Sequence, residues 1–306
     1  MSDKNMLAGK TVVVTGAGRG VGRGIAIMCA AYGAKVVVND LGGNEQGDGA
    51  DQVPALEVVK TITDAGGEAI ANFGNVAKSD DAGAMIEAAR KEFGSIDCIV
   101  NNAGILRDVI FHKMTEDEFD AVIAVHLKGS FNVSRAAAPY FREQQSGSMV
   151  HMTSTSGLIG NFGQANYAAA KLGIAGLSRS IALDMSRFNV RSNCISPFAW
   201  SRLIGTIPQG TDAERARVAK IQQMTPEKIA PLAVYLLSDQ AKDISGNIFV
   251  VRNNEIVLMS QPRPVRNLQT SDGWTPETVA ERFGPAVKTS LVPLERSGDV
   301  FSWDPV

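Results

Sequence analysis

Tyr167 and Lys171 lie four residues apart in Asn166-Tyr167-Ala168-Ala169-Ala170-Lys171, a run of good helix formers, so a helix there carries a phenol and an ammonium on one face. A cation beside a phenol favours the phenolate and can draw its pKa down from about 10 toward that of a working general base. Alone, the pair fits a half-buried tyrosine beside a surface lysine better than it fits catalysis. Ser154 changes the reading: it stands thirteen residues before Tyr167, just past the strand-like run 149–152. A hydroxyl at the carboxyl end of a strand can hold a substrate oxygen while the phenol moves its proton.

A second constellation suits phosphate. The run Thr11-Val12-Val13-Val14-Thr15 leads directly into Gly16-Ala17-Gly18-Arg19-Gly20-Val21-Gly22, and then into an apolar-periodic helix. Glycines let the backbone turn tightly and approach a pyrophosphate, whose charge meets the N–H groups and positive end of the helix. A strand before and a helix after separate this loop from an ordinary turn. The next strand-like run, 35–39, is followed by Asp40, whose carboxylate can accept both hydroxyls of an adenosine ribose and repels a 2′-phosphate. That favours NAD over NADP. Arg19 opposes it, since a loop cation can hold a 2′-phosphate, but Asp40 acts on the ribose edge directly.

These groups need a scaffold. Short runs rich in β-branched residues recur at 11–15, 35–39, 69–72, 98–100, 149–152, 191–195 and 248–251, several without polar alternation, as strands covered on both faces require. Helical spacing of apolar residues occupies 21–32, 81–93, 116–138, 166–187 and 226–237. The alternation predicts an α/β, Rossmann-type doubly wound parallel sheet, a single domain over residues 1–259. Residues 260–306 hold six of the 12 prolines and little periodicity, so they are expected to form a C-terminal extension. Trp274, Phe283, Phe301 and Trp303 are costly to leave in water, which predicts that the extension lies over the domain or a neighbouring subunit.

Composition narrows the partners. At 306 residues, 44% apolar and 20% charged, the chain can bury its own core. Thirty basic against 32 acidic residues give a net charge of −2, which sets up no positive field for nucleic acid or anionic lipid. No apolar run approaches the ~18 residues that span a bilayer, and the first residues hold no apolar leader; no membrane partner and a cytoplasmic location are expected. Cys29, Cys98 and Cys194 sit among apolar neighbours and read as core filler in a reducing compartment. His112 and His151 have no ligands at metal spacing, so no metal site is expected.

Together, Thr15-Gly-Ala-Gly-Arg-Gly-Val-Gly22, Asn101-Asn102-Ala103-Gly104, Ser154, Tyr167 with Lys171, and Pro197 resemble the short-chain dehydrogenase/reductase family. The resemblance implies that Gly16, Arg19, Gly20, Val21 and Gly22 cradle a dinucleotide, that Asp40 meets its ribose, and that Asn102, Ala103 and Gly104 line the adenosine side. Asn75-Val76 takes the place where the family often has Asp-Val beside the adenine, and Pro197 and Ala199 join the cofactor set. Tyr167 is then the acid/base, Lys171 the group that holds the nicotinamide ribose, and Ser154 the group that orients the substrate oxygen. Trp200, Leu203, Ile204 and Ile207 would wall an acyl chain, while Arg202, Arg215, Arg217 and Lys220 are candidate partners for a CoA phosphate.

One departure concerns His126, in Val125-His126-Leu127-Lys128-Gly129-Ser130-Phe131, where the family usually has an asparagine. Imidazole donates and accepts, so His126 can hold the same water relay to Lys171; a satisfied core histidine is the equal alternative. Val250-Val251-Arg252-Asn253-Asn254 likewise replaces the family's glycine pair. The run Val36-Val37-Val38-Asn39-Asp40-Leu41-Gly42-Gly43, the Gly-rich insert Gly47-Asp48-Gly49-Ala50-Asp51, the His126 segment and Ser196-Pro197-Phe198-Ala199-Trp200-Ser201-Arg202-Leu203 look like the dehydrogenase unit of peroxisomal multifunctional enzymes type 2 and its stand-alone bacterial relatives. That similarity implies NAD-dependent oxidation of a (3R)-hydroxyacyl-CoA, long-chain or with a steroid side chain. A 3-ketoacyl reductase or a hydroxysteroid or secondary alcohol dehydrogenase uses the same machinery, and a catalytically silent nucleotide-binding interaction protein is the reading from another class. The Ala- and Gly-rich faces of 166–187 and of the helix from Glu116 suit packing between subunits, as in the family's homodimers and homotetramers, or packing within one chain.

Overall fold

Val12 and Val14 point into one apolar layer and Val13 into the other, so the first strand is buried from end to end. That is the outcome expected when an uninterrupted apolar run is covered on both faces. The computed structural model describes residues 5–199 and 211–305. Its sheet contains β1 (Thr11–Thr15), β2 (Lys35–Asn39), β3 (Glu68–Asn72), β4 (Cys98–Asn101), β5 (Gly147–Met152), β6 (Val190–Phe198), β7 (Ile248–Arg252) and β8 (Glu255–Leu258). The spatial order is β3-β2-β1-β4-β5-β6-β7-β8, parallel from β3 to β7 and antiparallel only between β7 and β8.

Helices α1 (Gly20–Ala31) and α2 (Val53–Asp64) cover one face. The other is covered by α3 (Ser79–Phe93) and by a long helical stretch, α4 (Glu116–Ile123) and α5 (Gly129–Gln144), joined by a π-helical turn at Ala124–Lys128. After β5 come the short α6 (Thr155–Leu158) and α7 (Ala165–Met185), then α8 (Asp212–Gln222) and α9 (Ala230–Leu237), which returns to the α1 face. The doubly wound expectation therefore holds. Because the chain moves outward from β1 to β3 and then resumes at β4 on β1's other side, a crevice opens where the carboxyl ends of β1 and β4 meet.

Several elements differ from the sequence expectation, among them α8, where no helical spacing was expected. Helix α2 was not anticipated, although its buried Pro54, Ala55, Val58 and Ile62 follow helical spacing. Strand β8 pairs with β7 through a turn in which Asn253 takes φ +56°, a conformation asparagine tolerates. The expected uninterrupted helix 116–138 contains the π turn, which carries His126.

The extension folds back over its own domain. Phe301 is buried between Phe198 and Trp303, with ring centroids 5.3 Å away in each case. The Arg252 guanidinium stacks on Phe198 and Trp303, donates to the Trp303 carbonyl and pairs with Glu255 at 3.2 Å. Of the four aromatic side chains expected to be covered, only Phe301 is buried; Trp274, Phe283 and Trp303 stay exposed.

Candidate active site

The glycine turn is shaped by contacts that leave no room for a side chain at Gly16, Gly18 or Gly22. Gly16 and Gly20 take φ +60° and +53°. A Cβ on Gly16 would approach Ala103 Cα to 2.7 Å, and one on Gly22 would run into the Gly16 carbonyl. The Asn102 amide donates to the carbonyls of Thr15 and Gly16 at 3.0 and 2.9 Å, while Thr15 Oγ1 accepts the N–H groups of Asn102 and Ala103. Strands β1 and β4 are thus locked together at the crevice. Asp40 accepts the N–H groups of Gly18 and Gly42, each at 2.7 Å, so its carboxylate is fixed at the mouth of the turn. Arg19 is exposed and directs Nη1 to the Gly43 carbonyl at 3.5 Å. A bare-backbone cradle with an oriented acid beside it fits the pyrophosphate and adenosine ribose of a dinucleotide.

At the other end of the crevice, β5 and α7 are clamped. Lys171 Nζ donates to the Met152 carbonyl at 2.6 Å, and Thr153 Oγ1 donates to the Lys171 carbonyl at 2.7 Å. A Cβ on Gly157 would come within 2.7 Å of Leu172 N, so the turn after Ser154 can lie flat on α7 only as glycine. Ser154 caps that turn, its Oγ accepting the Ser156 N–H at 3.1 Å, and its hydroxyl stands near enough to the Tyr167 phenol to favour the phenolate. Ser154, Tyr167 and Lys171 therefore converge.

Electrostatics run against the simple expectation that Lys171 lowers the Tyr167 pKa. Burial dominates both groups: it pushes Tyr167 up to about 12, against the Ser154 hydrogen bond, and Lys171 down to about 7. The ammonium lies 5.4 Å from the centre of the phenol ring and gives a hydrogen to Met152.

His126 is buried and its ring meets Tyr167 edge-on, centroids 5.2 Å apart. Nε2 faces both the Ile105 carbonyl oxygen, at 2.8 Å, and the Ile105 N–H, at 3.1 Å, while Nδ1 has no partner among the described residues. Burial, then the charge of Lys171, push its pKa down to about 3, so the ring is neutral. A Cβ on Gly104 would enter the imidazole, which accounts for the glycine.

These groups surround a cleft of about 490 Å³. Its walls include Gly16, Arg19, Val21 and Asp40 on the turn side, Asn75, Val76, Asn102, Ala103 and Gly104 in the middle, and His126, Tyr167, Lys171 and Pro197 at the far end. Gly22 packs behind the wall, and Ala199 against the apolar layer that contains α1 and α9. Trp200, Arg202, Leu203, Ile204 and Ile207 lie outside the described residues, as does the side chain of Arg217. Lys220 pairs with Asp304 of the extension. Among the described residues no cluster could hold a metal ion, and no helix is long and apolar enough to cross a membrane. The three cysteines are buried and free.

Sequence reasoning missed Thr15, Thr153 and the wall made by Leu41, Glu45, Ile105 and Leu106. Thr15 and Thr153 each stand at a strand's carboxyl end, which was the available signal.

Residues 10–201 match the family model for short chain dehydrogenases, and this chain belongs to that family. It is thus an oxidoreductase that acts on CH–OH groups with NAD(P). It is 45% identical to a putative short-chain type dehydrogenase/reductase of Mycobacterium tuberculosis, over 81% of this chain and 83% of that one. It is 46% identical to the peroxisomal hydratase-dehydrogenase-epimerase of Saccharomyces cerevisiae over 90% of this chain, but spans only 29% of that longer protein. Identity to the hydroxyacyl-CoA dehydrogenase ChsB1 of Mycobacterium tuberculosis is 37%, covering 88% of this chain and 86% of that one. A crystal structure of a short chain dehydrogenase from Mycobacterium avium superposes with a TM-score of 0.82 at 38% identity, covering 95% and 98% of the two chains. A 7α-hydroxysteroid dehydrogenase complexed with NADH and 7-oxo glycochenodeoxycholic acid gives 0.73 at 28% identity, covering 83% and 97%.

Proposed function

We propose that this chain oxidises 3-hydroxyacyl-CoA thioesters to 3-ketoacyl-CoA thioesters with NAD. The observation that carries the reading is the meeting of Tyr167 and Lys171, with Ser154 beside the phenol, at one end of a cleft whose other end holds the glycine turn and Asp40. Bound there, the dinucleotide supplies a hydride acceptor. Asp40 accepts ribose hydroxyls and disfavours a 2′-phosphate. Ser154 holds the substrate oxygen, Tyr167 takes the hydroxyl proton, and Lys171, already fixed by Met152, holds the nicotinamide ribose. The unpartnered His126 Nδ1, next to the Lys171 charge, suits a water that continues the proton path from Lys171, since a ring nitrogen can donate or accept.

Support for the thioester comes from the relatives described as hydroxyacyl-CoA dehydrogenase and hydratase-dehydrogenase-epimerase. The reading extends to a homodimer or homotetramer, for which the exposed Phe131 on α5 and Leu172 and Leu183 on α7 provide apolar surface, and to a cytoplasmic location. Absorbance of the reduced nicotinamide is the test, with NAD or NADP and a panel of 3-hydroxyacyl-CoA thioesters beside a free steroid alcohol. Turnover of a thioester with NAD is expected; turnover of the steroid alcohol alone, or of thioesters with NADP only, overturns the assignment.

A further inference from the structure

Residues 105–108 leave β4 and are tied down one after another. Ile105 meets the His126 imidazole, and the Leu106 N–H donates to the Glu45 carbonyl at 2.9 Å. Arg107 donates to the Gln46 carbonyl at 3.1 Å and pairs with Asp48 at 3.3 Å, while its own carbonyl accepts the Asn166 amide at 2.9 Å. Asp108 closes the series: its carboxylate accepts the Gln164 amide at 2.7 Å.

Gln164 caps α7, its carbonyl accepting the Ala168 N–H at 2.7 Å, and Tyr167 follows three residues later on the same side of the helix. A solvent-exposed carboxylate is therefore held against the residue that caps the helix, three positions before the phenol. The other charged or titratable groups around Tyr167 leave that charge standing. Lys171 is buried and turned to Met152, His126 is neutral, Glu118 of α4 is turned back onto Thr115, and Arg107 faces Gln46 and Asp48.

We propose that Asp108 is a specificity-determining residue: its fixed negative charge beside Tyr167 admits alcohols whose neighbouring acyl carbon is neutral, as in a thioester or ester, and disfavours the free 3-hydroxy acid. In the acid, a carboxylate lies two bonds from the carbinol carbon and must come to rest near a like charge. The inference rests on the oxidation reading and refines its substrate class.

The test compares wild type with Asp108→Asn, and with Asp108→Ser as a second variant, on three NAD-dependent reactions read by absorbance. The substrates share one acyl chain: a 3-hydroxyacyl N-acetylcysteamine thioester, the methyl ester and the free 3-hydroxy acid. The expected result is a rise of about tenfold in the kcat/KM ratio of acid to thioester in the variants, shrinking as salt is raised. In the pH profile of kcat/KM, the limb that rises with pH moves to lower pH, because loss of the charge favours phenolate; a merely structural role leaves that limb in place. An unchanged ratio in both variants overturns the inference. If the methyl ester is oxidised and the thioester is not, the thioester reading fails while the acid-to-ester ratio still decides the role of Asp108.

Discussion

Tyr167 and Asp40 can each be removed without emptying the fold of anything large, so their substitutions isolate chemistry. Tyr167→Phe removes only a hydroxyl, and is expected to lower turnover about 10²- to 10⁴-fold while NADH binding, followed by fluorescence titration, is retained. Unchanged turnover removes Tyr167 from the reaction. At Asp40, replacement by serine takes away the carboxylate that accepts the Gly18 and Gly42 N–H groups. The expected outcome is a fall of about tenfold or more in the kcat/KM preference for NAD over NADP. Gly104→Ala places a methyl group into the His126 ring; overpacking of that kind costs about 1–3 kcal/mol, measurable as a lower urea midpoint.

At the scale of elements, the sheet is pinned by a chain of buried polar groups. Asn101 on β4 donates to His151 Nδ1 on β5 at 3.1 Å, His151 Nε2 donates to Ser192 on β6 at 3.1 Å, and Ser192 meets Ser178 on α7 at 2.8 Å. Burial pushes the His151 pKa down to about 4, as it pushes His126 down to about 3. Both rings bind a proton more readily in the unfolded chain, where the value is about 6.5. Their contribution to stability is therefore complete above about pH 6.5 and is lost as pH falls toward 4. Urea midpoints are expected to fall from pH 7 to pH 5, and His151→Gln should flatten that slope even though it lowers the midpoint at pH 7. An equal slope in the variant shows that His151 is not part of the linkage. The π turn is the other decision taken at this scale: it sets His126 against Ile105 and Tyr167, and its one extra residue per turn is invisible in an apolar pattern.

Over the whole molecule, the extension is held by few strong contacts. Phe301 is its buried anchor, Arg252 grips the backbone beyond it, and Ser297 donates to the Gly160 carbonyl at 2.9 Å near the turn after Ser154. Phe301→Ala removes an aromatic side chain whose burial is worth on the order of 3 kcal/mol. The expected result is faster limited proteolysis beyond residue 260, with the preceding sheet domain left intact. Equal cleavage rates would mean that the extension is held elsewhere.

Residues close along the chain settled much of this protein. The valine runs specify strands covered on both faces, the glycine turn declares itself between a strand and a helix, and Tyr167 and Lys171 share a helical face, because each depends on spacing within a few residues. Helix α2 and β8 went unread, although the spacing of Pro54, Ala55, Val58 and Ile62 and the alternation of Glu255 to Leu258 carried a signal for them. Tertiary structure alone decided the rest. Asp108 meets Gln164 across 56 positions, Arg107 reaches Asp48 across 59, and Lys171 turns to Met152 across 19. No local periodicity encodes such pairs. Nor does it encode burial, which moves the Tyr167 and Lys171 pKa values in opposite directions and outweighs the charge that their spacing brings together.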